Sequence, residues 1–163
     1  MVFKSTYEKG ESMCGITGFL SEGEYEKKEN ALKKMNSRIM SRGPDDEGYY
    51  VDEHIALAMR RLSIIGLENG KQPVWNEDKT LVLVYNGEIY NYLQLKEELQ
   101  GMGHVFTTDA DTEVILHGYE EYGTDVLGKL RGMFAFALWN TVSETLLIAR
   151  DPFGIKPLFY CTQ

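Results

Sequence analysis

Apolar positions come in short runs whose period changes along the chain. Residues 14–20, Cys-Gly-Ile-Thr-Gly-Phe-Leu, form a brief β-compatible run. Between residues 24 and 40, Leu32, Met35, Ile39 and Met40 fall at i, i+3, i+7 and i+8 among Glu and Lys, which predicts an amphipathic helix. The turn chemistry of Arg42, Gly43, Pro44, Asp45 and Asp46 ends it. Strands are expected at 48–52 and 55–62, and in the second Ile55, Leu57 and Met59 alternate toward one face. Residues 81–85 form a near-continuous apolar run ending at Asn86-Gly87, a buried strand expected to deliver a turn. Tyr92, Leu95, Leu99 and Met102 mark a second helix. A third is expected over 112–122, capped by Thr112 or Asp111, with a short helical turn at Leu127 and Leu130. Two further strands, 133–139 and 145–149, flank a polar hairpin, and 158–161 opens another. Residues 1–13 read as a polar extension. Grouped strands with helices between groups, and no regular βαβ alternation, predict an α+β sandwich.

With 163 residues the chain is expected to be one compact unit. Its 17 Lys+Arg against 25 Asp+Glu leave a net charge of −8, which argues against a nucleic-acid partner. No apolar run approaches the ~18 residues of a membrane span, and the first residues lack the apolar core of a secretory signal. No membrane partner is therefore expected, and the cytoplasm is the default compartment. Cys14 and Cys161 are too few for a disulfide framework. His54, His104 and His117 lie far apart without metal-ligand spacing, so they are expected as ordinary polar residues and no metal site is expected. Glycine-rich phosphate loops and the G-x-S-x-G elbow are absent.

The run Met13-Cys14-Gly15 stands out, although on these residues alone a structural cysteine is the favoured reading. A chain that begins at Cys14 places a thiol and a free α-amino group on one residue, and an N-terminal amine can activate its own side chain. Asn86 beside the backbone of Gly87 has the donors of an oxyanion hole, although spacing alone favours a plain turn. Arg61 suits a bidentate clamp on a carboxylate, or is one more surface arginine. Asp111 suits an N-cap or a substrate ammonium.

Seven ordered blocks carry a family resemblance: residues 13–19 (Met-Cys-Gly-Ile-Thr-Gly-Phe), 42–45 (Arg-Gly-Pro-Asp), 61–64 (Arg-Leu-Ser-Ile), 85–91 (Tyr-Asn-Gly-Glu-Ile-Tyr-Asn), 111–115 (Asp-Thr-Glu-Val-Ile), 132–139 (Gly-Met-Phe-Ala-Phe-Ala-Leu-Trp) and 150–158 (Arg-Asp-Pro-Phe-Gly-Ile-Lys-Pro-Leu). Together they resemble the glutaminase domain of glutamine-hydrolysing asparagine synthetases, class II glutamine amidotransferases of the N-terminal-nucleophile hydrolase fold. The resemblance implies a four-layer αββα sandwich over residues 14–163, preceded by the 1–13 extension and truncated at the C-terminal end. It implies Cys14 as the nucleophile that forms a thioester from the glutamine side-chain amide, with Asn86 and Gly87 as the oxyanion hole. Arg61, Glu88 and Asp111 would hold the substrate's α-carboxylate and α-amino group, and backbone groups of Leu62 and Ile64 would line the pocket. The implied partners are L-glutamine, a synthetase domain and a second copy as a homodimer. ATP and Mg would belong to the absent synthetase domain, leaving no cofactor in this chain. The alternatives are a silent regulatory domain blocked by the extension, or a domain serving another ammonia acceptor. Two positions depart from the family pattern: Ser41 and Met59 stand where the relatives usually carry histidine.

Overall fold

The computed structural model describes residues 1–5, 14–62 and 71–162. In chain order its elements are β1 (Val2–Ser5), β2 (Gly15–Leu20), α1 (Tyr25–Ser37), β3 (Asp46–Val51), β4 (Ile55–Arg61), β5 (Val74–Trp75), β6 (Leu81–Ile89), α2 (Tyr92–Gly101) and α3 (Glu113–Tyr122). A 3-10 turn, Gly123–Asp125, then leads into α4 (Val126–Lys129), β7 (Gly132–Asn140), β8 (Thr145–Arg150) and β9 (Phe159–Cys161). Two antiparallel sheets result, ordered β3-β4-β2-β1-β9 and β5-β6-β7-β8.

Side-chain alternation decides what each face meets. Ile55, Leu57 and Met59 of β4, with Phe3 and Ile16, share one buried cluster with Val82, Val84, Ala137 and Trp139 of the other sheet. The two sheets therefore pack face to face. Ala56 and Ala58, on the other face of β4, lie against Leu32 of α1. Leu81, Leu83, Tyr85 and Ile89 on the opposite face of β6 pack with Leu95, Leu99, Val114 and Ile115 of α2 and α3. Such burial stabilises by roughly 1.5–3 kcal/mol for each large apolar side chain.

Two expectations are corrected. The stretch 1–13 does not begin as a free extension: Val2–Ser5 is a strand paired with both β2 and β9. Alternation again explains it, because Phe3, 1% exposed, plugs the inter-sheet core. Its ring also meets the face of Gly18, where a Cβ would lie 2.6 Å from the ring. The expected turn at Asn86-Gly87 is instead unbroken strand, with Asn86 opposite Ala135 and Gly87 opposite Phe134. Glycine is required there for proximity, since a Cβ would sit 2.3 Å from the Met133 carbonyl oxygen. The hairpin at 140–143 forms as expected, the Asn140 side chain accepting hydrogen bonds from the Val142 and Ser143 N–H groups. The short strand β5 had no pattern to announce it.

Candidate active site

Cys14 immediately precedes β2, and Ile16 two residues on points into the inter-sheet core. Period-two alternation therefore turns the Cys14 side chain to the same face. The same parity carries Met59 to Arg61 on β4, and Val84 to Asn86 and Glu88 on β6. Cys14, Arg61, Asn86 and Glu88 thus lie on the mutually facing sides of the two sheets, at the end where the apolar filling stops. Asn86 is buried, Cys14 and Arg61 are half-buried, and Glu88 is exposed.

Backbone around the thiol is tightly set. The Leu62 N–H donates to Cys14 Sγ at 3.4 Å, and the thiol lies 3.9 Å from the Leu62 carbonyl oxygen. Leu62 therefore touches the proposed nucleophile directly. Ile64, the other backbone position expected in the pocket, lies outside the described residues. The Arg42–Asp45 turn laps over the end of β4, where Asp45 N–H donates to the Arg61 carbonyl. Gly43 permits this, because a Cβ there would sit 2.5 Å from the Arg61 nitrogen.

Asp111 is not a helix cap. Its Oδ2 accepts from the Tyr85 hydroxyl and from the Ile89 N–H, each at 2.7 Å, which ties the start of α3 to the end of β6. Thr112 occupies the N-cap position without a side-chain hydrogen bond. The Tyr85 phenol is pushed far above its ordinary range by burial, then by the negative charge of Asp111, with Glu88 and Cys14 adding to it. Tyr85 is thus a neutral donor with Asp111, Glu88 and Cys14 all within electrostatic reach. Asn91 has a structural part: it accepts from the Arg131 N–H and donates to the Lys129 carbonyl, fastening α2 to the end of α4.

One charged neighbour escaped the sequence reading. Lys156 is 3% exposed, and burial followed by the nearby Arg42 lowers its pKa, while Cys14, Glu88 and Asp151 pull it upward. A buried lysine therefore lies within electrostatic reach of Cys14 and Glu88. Asp151 shapes the turn that places it, accepting backbone N–H groups from Phe153, Ile155, Lys156 and Phe134. Burial raises the Asp151 carboxyl, but those backbone donors outweigh it and leave the pKa low. The Asp151-Pro152-Phe153-Gly154 sequence was the available signal for a tight turn; nothing in it announced a buried lysine five residues on. Met59 is 1% exposed and belongs to the inter-sheet core, and Ser41 is exposed. A concavity of about 450 Å³ between the end of α1 and strands β1 and β9 is lined by Phe3, Thr17, Met35, Ile39 and Arg42, and Cys14 is not part of that lining.

Comparison with known proteins identifies the family of the chain. Residues 13–163 match the family model of the glutamine amidotransferase domain. The chain is 50% identical over 153 residues to asparagine synthetase [glutamine-hydrolyzing] 1 of Bacillus subtilis (strain 168), covering 92% of this chain and 24% of that protein. It is 44% identical over 148 residues to asparagine synthetase [glutamine-hydrolyzing] of Zea mays, covering 90% of this chain and 25% of that one. The chain therefore spans about a quarter of the length of these curated relatives. Among solved structures it resembles the glutamine phosphoribosylpyrophosphate (PRPP) amidotransferase from B. subtilis complexed with ADP and GMP. The TM-score is 0.52 at 31% identity, over 64% of this chain and 25% of that one. No helix among the described residues is long and apolar enough to cross a membrane. On the family match and these identities, the chain belongs to the glutamine amidotransferase domain family.

Proposed function

We propose that this chain hydrolyses the side-chain amide of glutamine and supplies the ammonia to an ATP-dependent synthetase domain that makes asparagine. The reading rests most on one observation: strand parity brings Cys14, Arg61, Asn86 and Glu88 to the facing sides of the two sheets, beside the Leu62 backbone. In the proposed reaction, once the Met13–Cys14 bond has been hydrolysed, the freed Cys14 α-amine takes the thiol proton and the sulfur attacks the amide carbon. The Asn86 side chain and Gly87 N–H stabilise the oxyanion. The α-ammonium returns the proton to the departing nitrogen, ammonia leaves, and water cleaves the γ-glutamyl thioester to glutamate and free thiol. The balance is glutamine plus water to glutamate plus ammonia. Arg61 holds the substrate α-carboxylate, Glu88 and Asp111 face its α-ammonium, and backbone groups of Leu62 and Ile64 complete the pocket.

The packing of α1 on one sheet and α2 to α4 on the other fits a four-layer αββα arrangement of the N-terminal-nucleophile hydrolase type. ATP and Mg belong, in this reading, to the synthetase domain and not to residues 14–163; the protein works in the cytoplasm, as a homodimer. A second reading has its own support. Strand β1 is seated between β2 and β9, so Val2–Ser5 pairs directly with the strand that follows Cys14. Joined to Met13, the Cys14 nitrogen is an amide without a basic lone pair, which makes a silent domain. Acid quenching during glutamine turnover, followed by mass spectrometry, tests the first reading. A γ-glutamyl adduct on the Cys14 peptide, absent in Cys14→Ala, is the expected result; ammonia release persisting in Cys14→Ala overturns it.

A further inference from the structure

His104 and His117, thirteen residues apart in sequence, come together on the helical side of the β5–β6 sheet, with their rings 5.1 Å apart. Glu120 lies between them. Its Oε2 is 2.8 Å from His117 Nδ1 and 3.6 Å from His104 Nδ1. One donor atom from each of the three residues falls within 4.8 Å of the others. A tetrahedral zinc with bonds of ~2.0–2.2 Å sets its ligands about 3.4 Å apart, so small side-chain rotations close the set. Glu77, in the β5–β6 turn, adds a fourth oxygen 3.7 Å from His117 Nδ1.

The surroundings are those of a ligand set. Each imidazole turns Nδ1 toward Glu120 and its far nitrogen toward another carboxylate: His104 Nε2 is 3.4 Å from Glu121, and His117 Nε2 is 3.8 Å from Glu113. An outer carboxylate on the second ring nitrogen fixes tautomer and orientation in histidine–metal sites. Glu113 is itself held by the Thr107 N–H and hydroxyl, and the other Glu120 oxygen accepts from the buried Asn76 side chain. The His117 side chain is 2% exposed and backed by the Phe106 ring at 4.6 Å. A buried imidazole facing several carboxylates is more than a solvated surface pair.

We propose that His104, His117 and Glu120, with Glu77 as the fourth donor, bind a divalent transition cation of the zinc class. Two nitrogen donors with carboxylates suit zinc and its neighbours, whereas magnesium and calcium take oxygen ligands. The cation ties together the β5–β6 turn, the segment after α2, and α3. It carries no step of the glutaminase reaction, and the proposal does not rest on that reading.

Cobalt(II) is the probe, added to the full 163-residue chain and followed by its visible d–d absorption. The expected result is one Co(II) per chain, displaced by Zn(II), without sulfur-to-cobalt charge-transfer bands. Removing an outer-shell partner typically costs 10- to 100-fold in affinity. His104→Ala and Glu120→Gln remove ligands, so each should weaken binding by at least ~100-fold. Circular dichroism checks that both remain folded, and using His104 avoids disturbing the more deeply buried His117. Failure to bind Co(II) at stoichiometric concentrations overturns the site. So do thiolate charge-transfer bands, or affinity unchanged in a folded His104→Ala.

Discussion

The two ends of the space between the sheets contain similar polar side chains put to opposite uses. At the end where β4 begins, Asp52 accepts from the Tyr50 hydroxyl at 2.7 Å, the Trp139 indole at 2.8 Å, and the His54 and Ile55 N–H groups. That carboxylate joins the two sheets and is saturated. Burial raises its pKa, but the Tyr50, backbone and Trp139 donors outweigh burial and leave it low. At the end where β4 finishes, Cys14, Arg61, Asn86 and Glu88 occupy the same inward-facing register. In between, Ile16, Leu57, Val84 and Trp139 fill the gap. The strands do not change along their length, only the side chains on one parity. The difference is one of partners: the Asp52 end is closed by four hydrogen bonds, and the other end carries the residues of the proposed site.

Substitutions at the two ends should therefore separate rate from stability. The largest effect is expected at Asn86. Losing one oxyanion donor lowers kcat by about 100- to 1,000-fold, roughly 2.7–4 kcal/mol. In Asn86→Ala the KM for glutamine and the melting temperature should change little, as steady-state kinetics and thermal denaturation report. A near-normal kcat removes Asn86 from the oxyanion hole. Next comes Arg61→Ala, where a charged hydrogen-bonded contact worth about 1.5–3 kcal/mol is lost. Because ground state and transition state both use it, KM should rise about 10- to 100-fold with kcat nearly kept. Unchanged KM places Arg61 outside the pocket.

The smallest effect belongs to the clamped end. Asp52→Ala orphans the buried Trp139 N–H, which costs about 1–3 kcal/mol and lowers Tm by a few degrees while kcat stays as it was. The sign with pH follows from the depressed carboxyl. Its contribution is fully present above the unfolded value of about 4 and is lost as pH falls through the lower folded value. Thermal melts of wild type and Asp52→Ala should therefore converge in acid. A kcat loss in Asp52→Ala matching that of Asn86→Ala would erase the distinction between the ends.

Much of the fold was legible because period carried it. The alternation of Ile55, Leu57 and Met59 gave β4 and its inward face, and Leu95 with Leu99 gave the buried stripe of α2. What failed did so for tertiary reasons. Asn86-Gly87 has turn chemistry, yet the approach of the β7 backbone keeps it in the strand. Val2-Phe3 is too short a signal to register as a strand without the slot between β2 and β9 that receives it. His104 and His117 meet only because the chain doubles back between α2 and α3. Lys156 is buried by a turn whose organiser, Asp151, acts entirely through backbone donors. Of the candidate site, residue type offered Cys14 and Asn86-Gly87 only beside the alternatives of a structural cysteine and a plain turn, and the resemblance chose between them. For Asp111, residue type left an N-cap and a substrate-ammonium partner equally open, and its bonds to Tyr85 and Ile89 needed the structure.

The central claim is that a free α-amine on Cys14 activates its own thiol. It is tested most directly by measuring ammonia release from glutamine for two forms of the chain, one cut at the Met13–Cys14 bond with residues 1–13 retained and one with that bond intact. Loss of a positioned base typically costs about 100- to 10,000-fold. The account predicts at least a hundredfold higher turnover for the form with the free amine. Equal rates from both forms, with intact mass confirming that Met13 is still attached in the second, would contradict it.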